Sequence, residues 1–299
     1  EGSFSVANGG TAHIGGLLLL GNPSFPHGGG ANVTVEGSGS IVHADALAMT
    51  SVRRPLRTNI LDGGVLNTAS RSFIGNTLAQ GSLFVFSANA QVVISGQGSL
   101  WNADGGASIQ NNDSRIVISN EGTLTAPDVT LGDSTYPGYA PRYRGGALIV
   151  GGGYDDTCAQ NCAVGDAAAA GRVDVGTINF ANGGSLIFNH TASDYRFDSM
   201  LVGGETRQSP NSDQYPDFFP PYSGEIKVYA GTTILTADSS GFAGETTVLG
   251  GKLILDGRLG GNASVQNGGW LGGNGSLLGN VSIQSGGHLF PGGDEAGQL

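Results

Sequence analysis

Residues able to do chemistry are few in this chain, and most stand apart from one another. Gly132-Asp133-Ser134 has the form of a serine-hydrolase nucleophile segment. The next residue is Thr135, where a protease of that kind needs Gly for its oxyanion turn. An esterase of the GDSL kind would want an Asp-x-x-His further on, and the sequence has none. The histidines form no H-x-x-x-H or H-E-x-x-H pattern, so neither a metal nor a cofactor is expected. Acidic residues are scattered singly apart from Asp155-Asp156 and Asp294-Glu295, which denies a glycan lyase or hydrolase its carboxylate cluster. Gly151-Gly152-Gly153-Tyr154-Asp155 is a single echo of a calcium nonapeptide without tandem copies. Arg53-Arg54-x-x-Arg57 and Arg142-x-Arg144 are the positive clusters; each reads as a receiver of acidic glycan or as solvated loop charge. Cys158-Ala-Gln-Asn-Cys162 lacks the second pair of ligands that zinc needs. A local disulfide between Cys158 and Cys162 is the reading, contributing about 2 kcal/mol in the loop-entropy account. Two free thiols are the alternative.

The elements that would position these residues must be short. Of 299 residues 54 are Gly, against roughly 7% in ordinary usage, without the three-residue period of collagen. Charged residues make up 12%, and 24 acids against 13 bases leave a net charge of −11. That sign disfavours nucleic acid and anionic membrane surfaces as partners. No apolar run reaches the ~18 residues of a spanning helix. The start at Glu1, without a signal peptide, reads as a processed or excised piece.

Internal repeats specify the architecture. Gly250-Gly251-Lys252-Leu253 recurs as Gly268-Gly269-Trp270-Leu271 and as Gly286-Gly287-His288-Leu289, a period of 18. Gly261-Asn262-Ala263-Ser264-Val265-Gln266 recurs likewise as Gly279-Asn280-Val281-Ser282-Ile283-Gln284. Upstream, Val33 to Ile41 matches Val92 to Leu100 at an offset of 59, and Gly64-Val65-Leu66 matches Gly122-Thr123-Leu124 at 58. Offsets of that size read as units of several stacked turns. Short apolar strands with Gly and Asn corners suit a parallel β-solenoid, in which Val33, Val35, Ile41, Val92, Ile94 and Leu100 point inward. At ~22 residues per coil the all-β body would hold roughly 13 coils over about 65 Å.

From about Ala147 to Gly293 the chain resembles the passenger domains of classical (type V) autotransporters, in the AIDA-like adhesin group. Ser185-Leu186-Ile187-Phe188-Asn189-His190-Thr191-Ala192-Ser193-Asp194-Tyr195-Arg196-Phe197 is similar to a recurrent segment of that family. Gly231-Thr232-Thr233-Ile234-Leu235 and Gly241-Phe242-Ala243-Gly244-Glu245 follow it, then the 18-residue coils and Leu289-Phe290-Pro291-Gly292-Gly293. This succession is similar to the family's passenger-associated strand repeat. The resemblance implies a right-handed parallel β-helix exported through a C-terminal outer-membrane translocation barrel, whose strands nothing after Pro291 supplies. It divides the chain into a passenger body, 1–230, and repeat coils, 231–299, of the same solenoid. It also makes His190 structural rather than the base of a catalytic pair.

Loop excursions interrupt the body at 133–144, 151–170 and 203–224. The first and last together hold seven aromatic side chains and six of the 11 prolines. Tyr136, Tyr139, Arg142, Tyr143, Arg144, Tyr215, Phe218, Phe219 and Tyr222 are therefore the candidate binding surface, since aromatics on proline-stiffened loops make contact at low entropic cost. The alternative is that these loops fold back over the sides of the helix. The expected function is that of a bacterial surface adhesin, not an enzyme. It would attach to a host extracellular-matrix or cell-surface protein or glycan, or to itself. A glycan-active or serine-hydrolase β-helix, and a structural stalk for an effector elsewhere, are the rival readings.

Overall fold

Gly-rich corners and short β-branched runs leave one way to bury apolar surface: each turn must lie on the turn before it. The computed structural model describes residues 2–21, 30–50, 55–74, 90–110, 114–132, 146–152, 165–181, 183–206 and 223–292. Among the described residues every named element is a strand, and neighbouring strands pair in parallel from Gly2–Ala7 at one end to His288–Pro291 at the other. The architecture is a parallel β-helix.

Among the described residues its spine is a sheet of eleven strands, one per turn, from Gly2–Ala7 to Val281–Ile283. A nine-stranded sheet walls the body as far as Met200–Gly203. A five-stranded sheet ending at His288–Pro291 and a three-stranded one ending at Ser276–Leu277 serve the C-terminal turns. Among the described residues the spine strands recur at unequal intervals rather than at a uniform ~22 residues. Early turns are simply longer: Leu56 pairs with Ala90 and Ser185 with Glu225, whereas Ala263 pairs with Val281.

Register in the spine fixes the core. Val6, Val35, Ile60, Ile94, Ile118, Val150, Phe188, Val228, Val248, Val265 and Ile283 are successive partners and form one inward column. The stack buries all of these except Ile283 on the last strand. The upstream sequence repeat spans two turns: Val33 pairs with Thr58 and Thr58 with Val92, while Leu66 pairs with Trp101 and Trp101 with Leu124.

The period is two turns rather than one because the corners alternate. Asn8-Gly9-Gly10, Asp62-Gly63-Gly64 and Asn120-Glu121-Gly122 are short corners, and Gly37-Ser38-Gly39-Ser40 and Gly96-Gln97-Gly98-Ser99 are one residue longer. The serine ending each longer corner is buried and serves the shorter corner before it. Gly9 N–H donates to Ser40 Oγ at 3.1 Å, and Gly63 N–H to Ser99 Oγ at 3.1 Å. Ser99 in turn donates to the Ser95 carbonyl at 2.7 Å.

The longer corner also corrects the expected core. Val33, Val35, Val92 and Ile94 are buried as expected, but Ile41 and Leu100 lie half-buried on the outside, and Val42 and Trp101 take the interior. Gly37 and Gly39 hold φ of 86° and 80°, and the one extra residue of this corner shifts the in–out alternation by one place. Trp101 is completely buried, its indole N–H donating to Thr68 Oγ1 at 3.1 Å.

Removing the corner hydroxyl leaves the partly buried Gly63 amide without its acceptor. Ser99→Ala is therefore expected to cost about 1–2 kcal/mol in urea unfolding, while exposed Gln97→Ala on the same corner leaves the midpoint unchanged. Equal midpoints for Ser99→Ala and the parent would show that the corner bond carries no stability.

Candidate functional site

Every residue of the expected binding surface, Tyr136, Tyr139, Arg142, Tyr143, Arg144, Tyr215, Phe218, Phe219 and Tyr222, lies outside the described residues, as do Asp133, Ser134, Cys158 and Cys162. Their attachment points are described, and these define where each excursion leaves and rejoins the stack.

The first and last excursions share one corner. Residues 133–145 follow the nine-stranded-sheet strand Thr123–Leu131 and return to the spine at Ala147–Gly151. Residues 207–222 follow Met200–Gly203 and return to the spine at Glu225–Ala230. The turn between them passes the same corner within 181–184, from Arg172–Phe180 to Ser185–Asn189. The two aromatic excursions thus rejoin two strand spacings apart, about 10 Å.

Their returns are built alike. Ser185 N–H donates to the Gly146 carbonyl at 3.1 Å, Glu225 N–H to Gly184 at 2.9 Å, and Glu245 N–H to Gly224 at 2.9 Å. A Cβ on Gly146 would lie 2.1 Å from Ile109 Cγ2, and one on Gly184 2.2 Å from Leu131 Cβ. Glycine is required because the returning chain presses on the last inward side chain of the other sheet. The neck of the second excursion is closed by Gly224 N–H donating to the Gly204 carbonyl at 3.0 Å.

The cysteine-bearing excursion leaves elsewhere. Residues 153–164 start at the far end of Ala147–Gly151, a strand length from the aromatic corner, and Asn189 clamps both of their ends. Its Nδ2 donates to the Gly165 carbonyl at 2.8 Å and the Gly152 carbonyl at 3.4 Å, while Gly152 N–H donates to the Asn189 carbonyl at 2.7 Å. The returning arm is part of the stack, with Ala168 bridged to His190 and Ala170 to Ser119.

His190 is wholly buried. Its Nε2 lies 2.9 Å from Thr233 Oγ1, and its ring rests on Gly231, where a Cβ would come within 2.3 Å of Nδ1. Phe188, Tyr195 and Phe197 complete an aromatic knot, with Phe188 and Phe197 edge-to-face at 5.1 Å and His190 and Tyr195 5.0 Å apart. Desolvation holds the His190 pKa below its ordinary value, opposed by the backbone of Ala192. The residue packs between turns.

Two features escape motif reading. Val117, Ala147, Ile149 and Ile187, packed with Tyr229, form a second apolar cluster apart from the main core. They alternate with the inward Ile116, Ile118, Leu148, Val150, Leu186 and Phe188, so they lie on the outer face of the spine, and Ile149 and Ile187 are fully buried there. The signal was present in the unbroken runs Ile116-Val117-Ile118, Leu148-Ile149-Val150 and Leu186-Ile187-Phe188, because strands covered on both faces lose their alternation. The other feature is an aromatic group on the five-stranded sheet around Trp270. Among the described residues no group of three or more His, Cys, Asp or Glu could hold a metal ion.

The fold is a parallel β-helix whose 133–145 and 207–222 segments leave and rejoin at one corner and whose 153–164 segment leaves at another. The chain is similar to the Adhesin BmaC autotransporter of Brucella suis biovar 1 (strain 1330), a distant homologue 30% identical over 287 residues, covering 81% of this chain and 8% of that protein. This chain therefore spans under a tenth of that relative's length. No family model and no solved structure matches it.

Asn189→Ala is expected to free both ends of the 153–164 excursion, raising its proteolytic nicking rate about tenfold with the stack intact; unchanged nicking would remove Asn189 as the clamp. For His190, a folded pKa below about 6.5 means that its contribution is complete above that pH and lost as pH falls through the lowered value. The urea midpoint should drop from roughly pH 7 to pH 5, and His190→Gln should flatten the drop. An equally steep drop in the variant would assign the effect to other groups.

Proposed function

We propose that this chain is part of the passenger of a bacterial autotransporter, displayed at the cell surface or released, and that it acts as a non-enzymatic adhesin. In this reading the β-helix is right-handed, the hand that parallel crossovers take almost without exception. Residues 231–299 serve as the passenger-associated repeat coils of the same solenoid, and a translocation barrel belongs to the full-length protein. The observation that carries the reading is the shared corner, where two aromatic, proline-rich excursions rejoin the spine two turns apart. The similarity to a protein named as an autotransporter adhesin supports it.

Adhesion suits this geometry. A parallel stack is stiff, and its strands keep the roots of both excursions at a constant spacing. Tyr136, Tyr139, Tyr143, Tyr215, Phe218, Phe219 and Tyr222, with Arg142 and Arg144, would then form one composite surface of the residue types that dominate binding energy. The partner class is a host extracellular-matrix or cell-surface protein or glycan, or a second copy of the passenger.

Replacing Tyr215, Phe218, Phe219 and Tyr222 together with Ser is expected to weaken binding of the purified chain to host matrix by at least about tenfold. Far-UV circular dichroism should stay that of the parent. Full binding by the folded variant would sink the excursion surface as the adhesive element.

A further inference from the structure

An aromatic group stands on the outer face of the five-stranded sheet in the C-terminal turns. Lys252, Trp270 and His288 are successive register partners on its outer face. Beside them run Ile254, Gly272 and Phe290. The Trp270 ring stacks on His288 at 4.0 Å with 17° between planes, and meets Phe290 edge-on at 5.8 Å. Lys252 Nζ stands 4.8 Å from the Phe290 centroid and 5.7 Å from that of Trp270. Gly272 makes the arrangement possible, since a Cβ there would lie 2.6 Å from two carbons of the Phe290 ring.

The scaffold does not require this group. The same register position holds Lys one turn earlier and His one turn later, so the repeat tolerates side chains of quite different size. Yet Trp270 is 40% exposed, whereas the chain's other tryptophan, Trp101, is completely buried. Charge makes a second, independent point. Arg196 and Arg258 each have a carboxylate, Asp256 at 3.9 Å and Asp238 at 4.0 Å. Among the described residues none lies within ion-pair distance of Lys252, whose cation meets only ring faces. On a chain of net charge −11 this is a cation with no carboxylate partner among the described residues, set in an aromatic surface.

Aromatic rings pack against the C–H faces of sugars, and an ammonium without an acid partner accepts a carboxylate or sulfate. We propose that Lys252, Trp270, His288 and Phe290 form a binding surface for an anionic polysaccharide. Its sugar rings rest on Trp270 and Phe290, and its acidic groups pair with Lys252. The surface lies on a different sheet from the excursion corner and works independently of it. The overall acidity of the chain repels polyanions elsewhere, so attraction here is local rather than a general effect of charge.

The two tryptophans make the test direct. Trp101 is buried, so a change in emission on adding polymer to the whole chain reports Trp270. Polygalacturonate offers carboxylates, dextran sulfate offers sulfates on a glucan, and dextran offers the glucan alone. One or both anionic polymers should quench or shift the emission at concentrations about tenfold below those at which dextran acts, and the responsive arm identifies the acidic group. Lys252→Gln should raise the half-saturation concentration about tenfold with circular dichroism unchanged. Trp270→Phe should abolish the optical signal, and polymer co-sedimentation should persist through the retained ring. The proposal is overturned if neither anionic polymer alters the emission, if dextran acts as well as they do, or if Lys252→Gln binds like the parent.

Discussion

The parallel register of the spine is the constraint on which everything else in this molecule rests. Each turn has to return an inward side chain to the place directly above its predecessor, and the column from Val6 to Ile283 shows the outcome. β-Branched residues fill all but one place, since they suit a pleated surface and stack on their own kind. Phe188 is the exception, and Tyr195, Phe197 and His190 close around its larger ring. Glycine supplies the left-handed corners and the tight returns, as at Gly37 and Gly146. Polar side chains supply the bonds the corner backbone lacks, as Ser40 and Ser99 do.

That constraint also decides where the chain is free to vary. A corner between two strands can lengthen without disturbing the register, provided that its two ends meet. Here the ends meet through Gly204 and Gly224, and through the amide of Asn189. In the proposed reading, stability and recognition fall to different residues. The stack is repetitive and low in charge, and the sequence departs from the repeat at the excursions and on one aromatic face.

Much of this was legible before any coordinates. The 18-residue period appears unchanged as the pairing of Lys252 with Trp270 and Trp270 with His288. The 58- and 59-residue offsets resolve into two turns, and alternating corner lengths explain why the repeat is not one turn. Other features were out of reach for physical reasons. Ile41 and Leu100 fit an inward pattern as well as an outward one, and only the backbone of the preceding corner decides the phase. Excursions far apart in sequence share a corner because of the winding, which no local pattern records. The outer cluster at Ile149 and Ile187 left a trace in unbroken apolar runs, but such runs also suit a wholly internal strand.

The central claim is that scaffold and binding surface are energetically separable. Amide hydrogen exchange on a chain whose 133–145 and 207–222 excursions are both shortened to the length of the 181–184 connection tests it most directly. The account predicts that the amides of Ser185, Glu225 and Glu245, whose bonds run from turn to turn, keep their protection while adhesion disappears. Loss of protection along the whole spine would contradict it.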